Sequence, residues 1–226
     1  MTGRWLSERP PVVFFDFDNT ISTGDVLDSI IERFAVGDRW QELERDWQAG
    51  RISTRDCLDG QLRSLRLTWR ELREHLRGVT LDPAFLPILE FLRAEQIEHL
   101  IVSDNFTVIV AEILAQQGLS GVPLYANDLL LKDGAAIPSF PHSNPDHPGC
   151  AHCKRLHLLG RPDKFTIYVG DGRSDLCPAV IADLVFAKDS LLRDLTKMGH
   201  PCEPITDLSA VLDFLQSNCA AGEIRA

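Results

Sequence analysis

The segment Pro10-Pro11-Val12-Val13-Phe14-Phe15-Asp16-Phe17-Asp18-Asn19-Thr20 decides how the fold is read. Two prolines open it, four apolar residues follow, and then two carboxylates appear two positions apart. An unbroken apolar run of this kind marks a strand buried on both faces, as in a parallel sheet covered by helices. Side chains at i and i+2 of a strand point to the same side, so Asp16 and Asp18 face one way. Carboxylates held together beside apolar residues repel unless a cation or a proton lies between them.

Working outward, three more segments have the same buried-strand character: His99-Leu100-Ile101-Val102, Thr166-Ile167-Tyr168-Val169 and Leu184-Val185-Phe186-Ala187. Helical patterns at 84–95, 106–117, 154–159 and 208–216 alternate with them. A hairpin is expected over 124–137, with Lys132-Asp133-Gly134 as its turn. Strands alternating with helices imply an α/β fold, a Rossmann-like parallel sheet covered on both faces. From about Thr23 to Val79 the pattern changes to helical spacing: Ile30, Ile31 and Phe34, then Leu58, Leu62 and Leu65. This stretch reads as an inserted all-helical cap subdomain, residues 23–79, with Trp40, Trp47 and Trp69 expected in its core. Residues 1–22 and 80–226 then form the α/β core domain.

In such sheets the ligand crevice lies at the carboxyl ends of the strands. The polar residues gather at those ends: Asp16 and Asp18, Ser103, Asp171 and Asp175. Asp171 supplies a third hard oxygen donor, and such a set suits Mg²⁺, which also binds substrate phosphate.

Composition narrows the remaining classes. The chain has 226 residues and a formal charge of −10, so its general surface is unsuited to gripping a phosphate backbone, and no nucleic-acid partner is expected. No apolar run approaches the roughly 18 residues of a membrane span, and no membrane association is expected. The first residues lack a signal-peptide pattern, and six cysteines without one suggest reduced thiols and a cytoplasmic location. Cys150-x-x-Cys153, with His142, His147 and His152 nearby, offers zinc ligands or a redox pair, but ordinary thiols are the favoured reading.

The motifs in order resemble the haloacid dehalogenase-like phosphohydrolases. Asp16-Phe17-Asp18-Asn19-Thr20 lines up with their DxDx[TV] signature, Ser103 with the second motif, Lys154 with the third, and Gly170-Asp171-Gly172-Arg173-Ser174-Asp175 with GDxxxD. Ser174 stands where many relatives carry Asn. The resemblance implies a phosphatase in which Asp16 attacks phosphorus to form an aspartyl-phosphate. Asp18 would be the general acid and base, and Ser103 and Lys154 would hold the phosphoryl oxygens. Asp104, Asn105 and Gly172 join these as candidate substrate contacts. Asp16, the main chain of Asp18 and Asp171 would ligate Mg²⁺, with Asp175 supporting them. Lys164 is the alternative to Lys154, which is preferred because it opens a helix. Arg33, Arg51, Arg55 and Arg63 of the cap are read as a solvated face or as reaching substrate.

The segments 150–155, 168–179 and 182–192 further resemble the methionine-salvage phosphatase branch. Phosphoserine phosphatases and phosphoethanolamine/phosphocholine phosphatases share the layout. The expected partner is a small phosphorylated metabolite, with a homodimer left open. The rival of another class is a non-catalytic protein that binds a phosphorylated ligand or zinc.

Overall fold

The computed structural model describes residues 9–219, without the side chain of Cys219. In chain order the elements begin with strand β1 (Pro11–Phe15) and helices α1 (Val26–Phe34), α2 (Arg39–Gln48), α3 (Thr54–Arg63), α4 (Trp69–Leu76) and α5 (Phe85–Ala94). Next come β2 (Glu98–Phe106), α6 (Thr107–Gln116), β3 (Leu124–Lys132), β4 (Ala135–Ser139), α7 (Arg155–Leu159) and β5 (Phe165–Gly170). The chain closes with α8 (Leu176–Ala179), β6 (Leu184–Ala187), α9 (Asp189–Met198), β7 (Glu203–Pro204) and α10 (Ser209–Cys219). Among the described residues it divides into two compact units: residues 9–23, 81–102 and 154–219 form the first, and residues 24–80 and 103–153 the second.

The first unit is an α/β layer structure around β1. That strand is buried throughout and pairs in parallel with β2 on one side (Phe15 opposite Ile101) and with β5 on the other (Phe15 opposite Val169). β6 extends the sheet beyond β5, and β7 beyond β6, again in parallel. One face packs Val12, Phe14, Leu100, Val102, Tyr168 and Val185 against Leu158, Leu191 and Leu195 from α7 and α9. On the other, Phe15 meets Phe85 of α5 edge to face at 5.8 Å, and Phe186 meets Phe214 of α10 at 5.1 Å. Cover on both faces is the reason the strand sequences read as solid apolar runs.

In the second unit, α1, α3 and α4 are capped by their own sequence. Asp25 and Ser53 accept N–H bonds from Asp28 and Asp56, and Thr68 and Glu71 form a reciprocal capping box. The antiparallel hairpin of β3 and β4 turns through Asp133 (φ 51°) and Gly134 (φ 77°), the left-handed pair that a tight two-residue turn requires. The apolar interior comes from Ile30, Ile31, Leu58, Leu62, Leu65, Leu72 and Leu76. The tryptophans are not part of it: Trp40 and Trp47 are half-buried and Trp69 is 38% exposed. Trp47 uses its ring N–H to bond Thr54 Oγ1 at 3.0 Å, a demand that holds it near the surface. Arg51 and Arg63 pair with Asp46 and Asp59 on an exposed face, and Arg55 lies over the Phe140 ring.

Three elements went unread in the sequence, the first of them the four-residue helix α8. Helix α9 has no side chain capping its first turn, since Lys188 stands at that position. Strand β7 is two residues long and carries no period. The strand expected to end at Ser103-Asp104-Asn105 runs on to Phe106. Among the described residues no helix is long and apolar enough to cross a membrane.

Candidate active site

At its carboxyl end β1 delivers Asp16, whose backbone N–H donates to Val169 O of β5 at 2.9 Å. The chain then turns tightly: the N–H groups of Thr20, Ile21 and Ser22 converge on the Phe17 carbonyl, and Asn19 adopts φ 53°. Asn is one of the few residues that tolerates that left-handed conformation. This turn leaves Asp18 half-buried beside the buried Asp16.

Lys154 is the centre of the arrangement. Its side chain is 1% exposed, and Nζ donates to Asp16 Oδ1 at 2.7 Å, Asp175 Oδ1 at 2.6 Å and Ser174 Oγ at 3.2 Å. Lys164 is elsewhere: it precedes β5 at the opposite end of the strand, partly exposed, with Nζ 4.0 Å from Glu98. Ser174 thus supplies a hydroxyl to the lysine.

Asp175 is fully buried and accepts four hydrogen bonds. Oδ1 takes Lys154 Nζ and the Tyr168 hydroxyl, each at 2.6 Å, and Oδ2 takes the backbone N–H groups of Asp171 and Gly172 at 3.0 Å. A carboxylate has about four lone-pair positions, so this one is saturated. Asp175 therefore shapes the loop and holds the lysine. Gly172 contributes its N–H to that carboxylate. Gly170 makes the fold-back sterically allowable, because a Cβ there would lie 2.5 Å from Asp175 Oδ2 and 3.0 Å from the Tyr168 ring.

Asp16, Asp171 and Asp175 bring carboxylate oxygens within 4.8 Å of one another. Burial, reinforced by the charges of Asp175 and Asp171 and opposed by Lys154, pushes Asp16 well above the usual carboxylate range. Burial and Asp175 push Asp171 up to about 7, although the Thr20 hydroxyl donates to its Oδ1 at 3.2 Å. Crowded, dehydrated carboxylates of this kind are a donor set that a hard divalent cation fits.

Ser103, Asp104 and Asn105 belong to the second unit. Ser103 and Asn105 are buried, and the Asn105 N–H donates to Ser103 Oγ at 3.0 Å. Asn105 Oδ1 accepts the Phe106 N–H, and Asn127 Nδ2 donates to the Asp104 carbonyl at 2.7 Å. Cys57, Cys150, Cys153, Cys177 and Cys202 are thiols. Among the described residues, no cysteine belongs to a group of three or more clustered potential metal ligands.

Tyr168 and Asn127 were not singled out in the sequence, whereas Thr20 closes the DxDx[TV] match. For Tyr168 a signal existed: a hydroxyl inside an apolar strand needs a buried partner.

A site built at the ends of β1 and β5 from these motifs defines a class. The haloacid dehalogenase-like hydrolase family pattern matches residues 13–179, and the chain belongs to that family. More particularly, it is 31% identical over 212 residues to the 2-hydroxy-3-keto-5-methylthiopentenyl-1-phosphate phosphatase of Geobacillus kaustophilus, covering 91% of this chain and 95% of the relative. The same-named protein of Brevibacillus brevis is 29% identical over 215 residues, with 91% and 95% covered. A solved phospho-aspartyl intermediate analogue of phosphoserine phosphatase matches with a TM-score of 0.68, covering 91% of this chain and 99% of that one. Its identity is 19%, so it speaks for the fold.

Proposed function

We propose that the chain hydrolyses a small phosphate monoester through an aspartyl-phosphate. The observation that supports this most is the buried Asp16 carboxylate, hydrogen-bonded to a buried lysine and crowded by Asp171 at the end of the central strand. Asp16 is the nucleophile: its carboxylate oxygen bonds to phosphorus as the ester oxygen departs. Asp18, half-buried and therefore within reach of solvent, protonates the leaving alkoxide. It then takes the proton of the water that hydrolyses the aspartyl-phosphate. Lys154 offsets charge spreading over the phosphoryl oxygens, and the motif order assigns Ser103 the task of holding one of them. For the helical insertion 23–79 the family resemblance implies a part in selecting the leaving group.

Asp16, Asp171 and the main-chain carbonyl of Asp18 would hold Mg²⁺, which supplies neutralising charge to the phosphoryl oxygens. A pH signature accompanies this. In EDTA, Asp171 keeps its proton up to about pH 7 in the folded chain but releases it near 3.8 in the unfolded chain. The unfolded chain then binds fewer protons, so this group's contribution to stability falls as pH rises toward and past 7. The melting temperature in EDTA is expected to drop between pH 6 and pH 8. Millimolar Mg²⁺ should raise it more at pH 8 than at pH 6. An equal rise at both values would remove Asp171 from the metal site.

The relatives' names support 2-hydroxy-3-keto-5-methylthiopentenyl-1-phosphate as the substrate, in a cytoplasmic setting that suits the thiols. Phosphate release should be measured across that ester, phosphoserine, phosphoethanolamine and sugar phosphates, with Mg²⁺ or EDTA. Mg²⁺-dependent release, greatest from the methylthiopentenyl ester, is the expected result. Preference for phosphoserine would reassign the substrate. No release from any ester by folded, Mg²⁺-loaded protein would overturn the phosphatase reading.

A further inference from the structure

Tyr168 lies inside the sheet of the first unit, 0% exposed, among Leu100, Val102, Val185 and Leu195. A phenylalanine would fill that space equally well, so packing does not account for the hydroxyl. The hydroxyl donates to Asp175 Oδ1 at 2.6 Å, and the same oxygen accepts from Lys154 Nζ at 2.6 Å. Asp175 Oδ2 is pinned separately by two backbone N–H groups. The lysine therefore stands between two carboxylates, Asp175 at 2.6 Å and Asp16 at 2.7 Å, and its share between them depends on how strongly Asp175 draws it.

We propose that Tyr168 is a positioning residue that holds Lys154 toward Asp16, by occupying a lone pair of Asp175 Oδ1 and so limiting that oxygen's pull on the ammonium. A hydrogen bond to a charged acceptor satisfies part of its charge, and the second donor on that oxygen is held less tightly. Removing the hydroxyl while keeping the ring lets Asp175 draw the lysine toward itself and away from Asp16. The catalytic part of this inference rests on the phosphatase reading. The positional part does not, and the two are separated by the test.

The chain has five lysines: Lys132, Lys154, Lys164, Lys188 and Lys197. With ¹³Cε-labelled lysine, the Lys154 resonance is assigned by its absence in Lys154→Met. In Tyr168→Phe that resonance is expected to move while the other four stay in place. On p-nitrophenyl phosphate with Mg²⁺, kcat is expected to fall about tenfold, the rate equivalent of one hydrogen bond to a charged group, with KM within about twofold. In an Asp175→Asn background the same substitution should add no further loss, since the path runs through that carboxylate. An unmoved Lys154 resonance overturns the proposal, and so does a lowered melting temperature with kcat unchanged. Equal losses in both backgrounds also overturn it, because Tyr168 would then act independently of Asp175. Wild-type protein that hydrolyses no ester sinks the phosphatase reading, and the resonance still decides the role of Tyr168.

Discussion

Asp16→Asn is expected to lose at least about 10⁴-fold in turnover, the scale seen when a covalent nucleophile is removed. An amide cannot form the acyl-phosphate, and no phosphorylated protein should be trapped by acid quenching. The variant should still fold. Its amide oxygen can keep the Lys154 hydrogen bond that Asp16 Oδ1 makes at 2.7 Å, and the backbone bond to Val169 O is untouched. Turnover on p-nitrophenyl phosphate and a thermal melt, read together, give the answer. Activity within tenfold of wild type would remove Asp16 from the nucleophile's role.

Lys154→Met is expected to damage both activity and stability. The lysine is the buried cation between Asp16 and Asp175, with side-chain exposures of 1%, 7% and 0% for the three groups. Removing one partner of a buried pair leaves uncompensated charge and costs about 3–5 kcal/mol. For a chain of this size that corresponds to a melting temperature lower by on the order of 10 °C. The loss should be greater at pH 8 than at pH 6. Without the lysine, whose charge lowers the Asp16 and Asp171 pKa values, these two carboxylates keep protons more readily in the fold, and folding then weakens as pH rises. Loss of the cation that offsets phosphoryl charge should cost about 10²–10³-fold in kcat. An unchanged melt at pH 8 would mean that the lysine does not compensate the buried carboxylates.

How much of this was legible in the sequence depended on whether the signal was local. The Val12–Asp18 run and the Gly170–Asp175 loop each carry their own punctuation, so strand, strand end and carboxylates were read together. Asp133-Gly134 gave away the hairpin because few residue pairs favour two consecutive left-handed conformations. The choice between Lys154 and Lys164 was harder, since both lie in the same stretch of chain. A geometric clue was nevertheless present: a residue that precedes a parallel strand lies at the end opposite the carboxylates. Lys164 does so, beside Glu98.

The rest needed the third dimension. The tryptophans of residues 40–69 have helical spacing, yet spacing alone does not reveal which face of a helix is covered, and α2 buries no residue at all. Helix α9 carries Leu191 and Leu195 at helical spacing, but Lys188 in place of a capping residue hid its start. Tyr168 read as one more apolar strand residue. Its partner, Asp175, lies seven positions on and meets it only because the loop folds back over Gly170.

The saturation of Asp175 has a consequence for the timing of entropy loss. A lysine free in solvent samples many rotamers, and fixing one forfeits roughly 2 kcal/mol of side-chain entropy. Here three acceptors, on Asp16, Ser174 and Asp175, fix the Nζ of Lys154 while the chain folds. That freedom is surrendered once, in folding, and no rotamer search by the lysine has to precede each turnover. The ammonium is already in place when the phosphoryl group arrives, so the barrier to reaction includes little reorganisation of the protein's own charge.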